Sequence, residues 1–355
     1  MSDRKSWAGE VLAEAPATGW QASQTLGTYA FLISLLSVFY VSNTSLLLSH
    51  YDLGWHLAAG ELIRSEARVP FQDPWSFTLG TKQWFNLSWL WDVIASVIFK
   101  SAGYGGLVAL VVACGALIVG YLASACLGSG ASALAACIAT FAACLLYPAY
   151  APNSYLAASP NVATMLFSVV FYRECLRPTK LLLPLLMVLW VNLHGGFVLG
   201  FFILAVFGGG ALLRRDWNGF KAMALAGVGC LAATFVNPLG WQIYQGVTAT
   251  LGHFVQRNIG EWLPYADNVE IPGSIPGMAY ILVFIALELG YGRSTKMRLE
   301  PRVLAWVFLA LGLYQFRYIA FFFIFSAIPV ALHLDRLLPR WLPQLQVQRA
   351  LLTAA

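Results

Sequence analysis

Ten apolar runs follow one another along this chain, at about 28 to 48, 105 to 127, 130 to 149, 160 to 172, 181 to 193, 196 to 213, 221 to 236, 276 to 290, 301 to 316 and 318 to 334. Apolar residues make up 59% of the sequence and charged residues only 10%, with a mean hydropathy of +0.70. Soluble domains carry about 25% charged and roughly 45 to 50% apolar residues, so a water-soluble globular fold is excluded. The expected fold class is all-α, a polytopic transmembrane helical bundle, because helices satisfy their own backbone in lipid. At about 30 residues per crossing and connection, the length allows roughly 10 to 12 spans. The runs themselves give 10 to 11, the uncertain one being a short apolar stretch at 88 to 103 that contains Asp92 and Lys100 and reads as an interfacial or partly inserted helix.

Cations order the spans. Arg4/Lys5, Arg173/Arg177/Lys180, Arg214/Arg215/Lys221, Arg293/Lys296/Arg298/Arg302 and Arg336/Arg340 all fall on one side if the ten runs each cross once. Lys and Arg collect in cytoplasmic loops, so both termini are expected inside. The formal charge of +5 is accounted for in this way, and no nucleic-acid partner is implied. The first 26 residues hold Asp3, Arg4, Lys5, Glu10 and Glu14 without an apolar core, so the run at 28 to 48 is expected to act as a signal anchor. The six cysteines sit in or beside apolar runs without metal-ligand or disulfide spacing and read as packing residues.

Polar residues converge on the opposite, extracytoplasmic side. The loop 49 to 87 carries Asp52, Trp55, His56, Glu61, Arg64, Gln72, Asp73 and Asn86. Leu53, His56, Leu57 and Gly60 share one side of a short helix, and Pro70 and Asp73-Pro74 mark turns. Residues 181 to 213 are too many for one span and few for two, so Gly195-Gly196 is read as a break between two half-length helices. Broken helices at membrane depth need protein or a water-filled cavity around them.

Each candidate has two readings. Asp52 either caps the helix that follows or does chemistry; His194 is a satisfied hydrogen-bonding residue or a catalyst. Asn237-Pro238-Leu239-Gly240 is a helix stop and turn. Trp55, Trp75, Trp84, Trp89 and Trp91 form either an interfacial belt or a sugar-stacking platform, the belt being the default for most. Arg317 lies between two apolar runs, where an isolated Arg costs at least about 2.5 kcal/mol, so it is expected to be paired or to face a cavity. No P-loop, GxGxxG, HExxH or GxSxG element occurs.

Tyr51-Asp52-Leu53-Gly54-Trp55-His56-Leu57, followed by Pro70-Phe71-Gln72-Asp73-Pro74-Trp75-Ser76-Phe77-Thr78, resembles the first extracytoplasmic loop of GT-C glycosyltransferases, among them oligosaccharyltransferase catalytic subunits and protein mannosyltransferases. With Trp190-Val191-Asn192-Leu193-His194-Gly195-Gly196, Asn237-Pro238-Leu239-Gly240-Trp241 and Glu261-Trp262, most of the chain is similar to bacterial polytopic membrane proteins of unassigned function beside that superfamily. Where that group often has His-Glu before the tryptophan this chain has Leu87-Ser88-Trp89, and where it often has Arg-Pro-His it has Ser159-Pro160-Asn161.

The resemblance implies a GT-C-like domain over 27 to 335, with a cytoplasmic tail at 1 to 26 and another at 336 to 355, in a bacterial inner membrane. It implies transfer of a sugar from a polyprenyl-phosphate-linked donor to an acceptor hydroxyl at the outer face, in polysaccharide biosynthesis, with donor and membrane lipid as partners. Asp52 matches the catalytic acidic position and would be the base. His56, Arg64, His194, Arg317, Asn192 and Glu261 are the candidate substrate- or phosphate-binding residues. A divalent cation, Mg or Mn, is a candidate cofactor, with Asp52 and Asp73 its candidate ligands, joined by Glu261. A transporter or flippase, or a non-catalytic scaffold of envelope polysaccharide assembly, are the alternatives.

Overall fold

The computed structural model describes residues 51–78, 82–145, 157–251, 259–268 and 274–341, together with Gly27 and Leu48. The first expected span, at 28 to 48, therefore lies almost wholly outside the described residues, as do Arg4 and Lys5. Helix accounts for 79% of the structure, and there is no strand among the described residues. The helices are α1 (Leu53–Glu66), α2 (Trp89–Gly128), α3 (Ala133–Leu145), α4 (Asn161–Leu176), α5 (Leu182–Leu193), α6 (Val198–Leu213), α7 (Trp217–Ala233), α8 (Ile243–Leu251), α9 (Ser274–Tyr291), α10 (Leu299–Tyr314) and α11 (Ile319–Trp341). Nine of the ten apolar runs thus fall on helices.

Among the described residues three helical stretches are long and apolar enough to cross a membrane: Trp89–Gly128, Gly195–Leu213 and Phe316–Leu338. Ala133–Cys144, Leu182–Leu193 and Pro276–Tyr291 are apolar but shorter. Large apolar side chains stand exposed along the outer helices, including Leu185, Leu189, Leu225, Val228, Leu282 and Leu289. So extensive an exposed apolar surface is untenable in water and suits a lipid surround. The first of the three stretches is interrupted at Gly103 (φ 60°, ψ −152°), which separates 89–102 from the rest. The stretch around Asp92 and Lys100 is accordingly a helix joined through a sharp break to the apolar run beyond it.

The core sits around α11, which packs against α10, α3, α9 and α2. Phe322, Phe323 and Phe325 are buried there, with edge or tilted ring contacts to Tyr280, Phe284, Phe308 and Tyr172. Such ring pairs add about 0.5 to 1.5 kcal/mol each beyond the area they bury.

The two ends of the helices differ in chemistry. At one end Glu300 (1% exposed) is held between Arg214 (2.7 Å) and Arg298 (3.1 Å), Glu174 pairs with Arg173 (2.8 Å) and Arg177 (3.5 Å), and Glu288 meets Arg302 (3.2 Å) and His333 (2.7 Å). Asp335 also lies here, accepting from the backbone N–H and hydroxyl of Ser132. The 16 residues of α4, α6 and α10 each reach from this end to the other, about 24 Å away at 1.5 Å per residue. The other end holds Asp92, Thr164, His194 and Arg317. Arg173, Arg177, Arg214, Arg298 and Arg302, from three of the expected cation clusters, thus share one end.

At that second end α1 lies against the first part of α2. A Cβ on Gly60 would come within 2.0 Å of the Asp92 carbonyl oxygen, so only glycine allows the approach. A Cβ on Gly54 meets nothing within 4 Å. Gly60→Val is expected to destabilise by about 1 to 3 kcal/mol through overpacking, whereas Gly54→Ala leaves the melting temperature unchanged or raised; thermal unfolding in detergent compares the two.

Candidate functional site

The extended backbone of His194 (φ −166°, ψ 143°) ends α5, and a short 3-10 turn, Gly195–Phe197, starts the chain into α6. The break expected at Gly195-Gly196 is there. Gly196 must be small, because a Cβ would sit 2.3 Å from Thr164 Oγ1. This closeness brings His194 Nδ1 to 2.6 Å from Thr164 Oγ1, while the Gly196 N–H donates to the same nitrogen at 3.3 Å. Trp190 Nε1–H donates to Thr164 Oγ1 at 3.0 Å. An indole N–H and a backbone N–H can only donate, so the Thr164 hydroxyl donates its hydrogen bond to Nδ1 and His194 is assigned its own proton on Nε2.

A second break, between α10 and α11, carries Arg317 on the 3-10 turn Phe316–Tyr318. The Phe316 N–H donates to the Leu263 carbonyl at 2.9 Å, which fixes the segment 259–268 beside this turn. Trp262 lies under the guanidinium at 3.8 Å from its centre, and Glu261 approaches to 3.9 Å. A guanidinium over an indole face gains about 0.5 to 2 kcal/mol and keeps its edge for an anion.

The third contributor is α1 with the N-terminus of α2. His56 Nδ1 is 2.7 Å from Asp92 Oδ1, and Asn86 Nδ2 donates to Asp92 Oδ2 at 2.8 Å. Asp92 is 1% exposed. Asp52 stands just before α1, but its carboxylate makes no capping bond, which removes the cap as the reason for an acid there.

These pieces enclose one cavity of about 960 Å³, lined by Asp52, His56, Asp92, His194 and Arg317 and, on its apolar side, by Val198, Leu199, Phe202, Phe308, Leu311 and Phe321. That size is at the upper end of the 300 to 1,000 Å³ usual for ligand sites. Trp55 and Trp84 also line it, and Trp75 packs against Trp55 with the rings tilted by 54° and their centroids 5.3 Å apart. Leu87, Ser88 and Asn161, three of the positions where the sequence comparison above notes a different residue, line it too. The chain matches no protein-family model and no curated protein.

Other expected site residues are placed elsewhere. Arg64 lies at the far end of α1, about 18 Å from Asp52 by helical rise, bonded to Glu61 at 2.6 Å and reaching Ser96 at 3.5 Å. It does not line the cavity. Asn192 is buried and spent on structure: Oδ1 accepts from Trp89 Nε1, and Nδ2 donates to the Val188 and Val236 carbonyls. Both its N–H donors are used, so it ties α2, α5 and the turn after α7 together, and it does not line the cavity. Glu261 does not line the cavity and acts as the counter-charge of Arg317.

Asp73 is closed into a turn. Ser76 Oγ donates to Oδ2 at 2.5 Å, and the Trp75 and Ser76 N–H groups donate to Oδ1. The Ser76 hydroxyl, and after it these two N–H groups, hold its carboxyl below the usual carboxylate range. It does not line the cavity, and among the described residues no group of three His, Cys, Asp or Glu side chains could hold a metal ion. The expected Asp52, Asp73 and Glu261 metal set is not assembled. Asn237 makes the expected turn, accepting from Leu239 N–H and donating to Gly240 O. Trp91 is buried in the core, and the half-buried Trp89 donates its indole N–H to Asn192.

Reading the sequence missed Asp92 as a site residue, and Thr164 altogether. The signal for Asp92 was available: a carboxylate in a short apolar helix has to find a partner. Thr164 in an apolar run carries no such mark. Asn192→Leu takes away the side-chain partner of the Trp89 N–H and of the Val236 carbonyl and is expected to cost about 1 to 3 kcal/mol, read by unfolding in detergent. Ser76→Ala is expected to return the Asp73 carboxyl toward its ordinary range, read by an NMR titration of that side chain.

Proposed function

We propose that this protein is a membrane glycosyltransferase of GT-C type, moving a sugar from a polyprenyl-phosphate-linked donor to an acceptor hydroxyl. The observation that carries the reading is the convergence of Asp52, His56, His194 and Arg317 on one cavity whose other wall is apolar. A lipid-linked sugar phosphate is itself split in this way, into a hydrocarbon chain, an anion and a hydroxyl-rich ring. The prenyl chain would lie along the apolar side formed by α6 and α10, with the phosphate against Arg317 and His194 Nε2–H. Donors fixed in advance on developing phosphate charge supply much of the rate in such reactions. Asp52 would be the catalytic carboxylate beside the anomeric carbon, and the tryptophans at Trp55 and Trp84 would border the sugar.

In this reading the chain is a polytopic bundle of ten or more spans in a bacterial inner membrane. Both termini and the cation clusters are cytoplasmic, by the positive-inside rule, and the cavity opens on the extracytoplasmic side. A divalent cation would be bound with the donor phosphate rather than by a preformed protein cage.

The test uses full-length protein in lipid nanodiscs with a panel of radiolabelled polyprenyl-phosphate sugars. Wild type is expected to transfer label to an acceptor hydroxyl. Asp52→Asn and Arg317→Ala are each expected to lose about 100-fold or more, with insertion retained in both and a lowering of the melting temperature in Arg317→Ala that reflects only the lost stacking on Trp262. Full activity in Asp52→Asn would remove it from the reaction, and movement of label across a liposome without transfer would favour a flippase.

A further inference from the structure

Asp92 Oδ1 accepts from His56 Nδ1 at 2.7 Å and, at 3.5 Å, from the Ser88 hydroxyl, while Oδ2 accepts from Asn86 Nδ2 at 2.8 Å. A carboxylate only accepts, so the proton of a neutral His56 ring is on Nδ1 and its lone pair is on Nε2. Among the described residues Nε2 has no hydrogen-bond partner, and the His56 ring lines the cavity. The orientation of Asn86 is fixed as well, because its Oδ1 accepts the Ser88 backbone N–H at 3.0 Å, which leaves Nδ2 to face Asp92.

We propose that His56 is the proton acceptor of this cavity and that Asp92 is its positioning residue, with Asn86 locking the pair. Asp92 holds the ring in the tautomer whose Nε2 can take a proton and offsets the imidazolium that results. The same logic orients histidine bases in other enzymes. The substrate in this inference rests on the transferase reading. The acceptor hydroxyl gives its proton to Nε2 while its oxygen bonds to the anomeric carbon. The bond from that carbon to the phosphate oxygen breaks, and its electron pair leaves on the phosphate beside Arg317. The imidazolium then returns its proton to solvent or to the released phosphate. Asp52 is left to face the positive charge that develops on the sugar ring, where a carboxylate stabilises an oxocarbenium-like transition state.

The lock makes a substitution informative. In Asp92→Asn the Asn86 amide requires the new oxygen opposite it, so the new NH2 faces His56 Nδ1 and forces the ring proton onto Nε2. The ring stays in place and loses its base. In the exchanged pair, Asn86→Asp with Asp92→Asn, the residue at 86 accepts, the amide at 92 turns round, and Nδ1–H is restored.

Diethyl pyrocarbonate modification of His56, read by peptide mass spectrometry on the full chain in nanodiscs, needs no substrate. Relative to wild type, Asp92→Asn is expected to react about tenfold more slowly and the exchanged pair within about threefold of wild type. Equal rates in wild type and Asp92→Asn, or no recovery in the exchanged pair, would overturn the assignment. In the transfer assay Asp92→Asn and His56→Ala are expected to lose about 10²- to 10⁴-fold in kcat, with the exchanged pair regaining at least about tenfold of the loss. Transfer by wild type with no loss in Asp92→Asn would overturn the dyad and leave the transferase reading standing. Absence of transfer by wild type would overturn the transferase reading, with the modification rates still deciding His56.

Discussion

Ionised groups inside an apolar bundle have to be neutralised where they stand, since the interior returns only part of the hydration they lose. Asp92 and Glu300, both 1% exposed, meet this condition in different ways. Glu300 is clamped between two arginines that also tie α6 to α10. Among the described residues Asp92 meets no arginine or lysine; it takes one neutral amide, one histidine ring and, at 3.5 Å, the Ser88 hydroxyl. The first arrangement closes the end of the bundle. The second leaves a ring nitrogen at a cavity, and the placing of α1, the first turn of α2 and the loop through Asn86 all follow from it.

Broken helices supply the remaining polar groups. The interruptions at 194–197 and 315–318 fall at the same end of the bundle and face one cavity. Freed backbone groups in an apolar surround are tolerated only beside protein or water, so the cavity and the breaks explain one another. His194 shows how a structural contact sets a ring: Nδ1 accepts from Thr164 and Gly196, which assigns the ring proton to Nε2. Arg317 is similar, braced by the Trp262 face while its edge stays polar. In the proposed reading these two groups meet a phosphate, and His56 and Asp52 share the work at the sugar.

Much of this was legible in the sequence. The apolar runs announced the helices because hydrophobic length is the main determinant of a helix in lipid, and Gly195-Gly196 announced the break. Asp52, His56, His194 and Arg317 stood out as polar groups without a topological reason, and all four line the cavity. Arg64, Asn192, Glu261 and Asp73 stood out for the same reason and serve structure instead, because type and position do not reveal a partner three residues away or one on another helix. Asn192 finds its partners 44 and 103 residues off. Asp92 was visible as a misfit within a short apolar stretch, but only the packing of α1 through Gly60 shows that His56 answers it.

The central claim is that this cavity holds a phosphate on a prenyl chain, with Arg317 on the anion. Binding of a polyprenyl monophosphate to full-length protein in nanodiscs, compared between wild type and Arg317→Ala, tests it most directly. The account predicts saturable binding by wild type, weakened about tenfold or more in the variant, the range expected for losing a charge-assisted contact. Equal affinity in the two proteins, or binding that never saturates above lipid background, would contradict it.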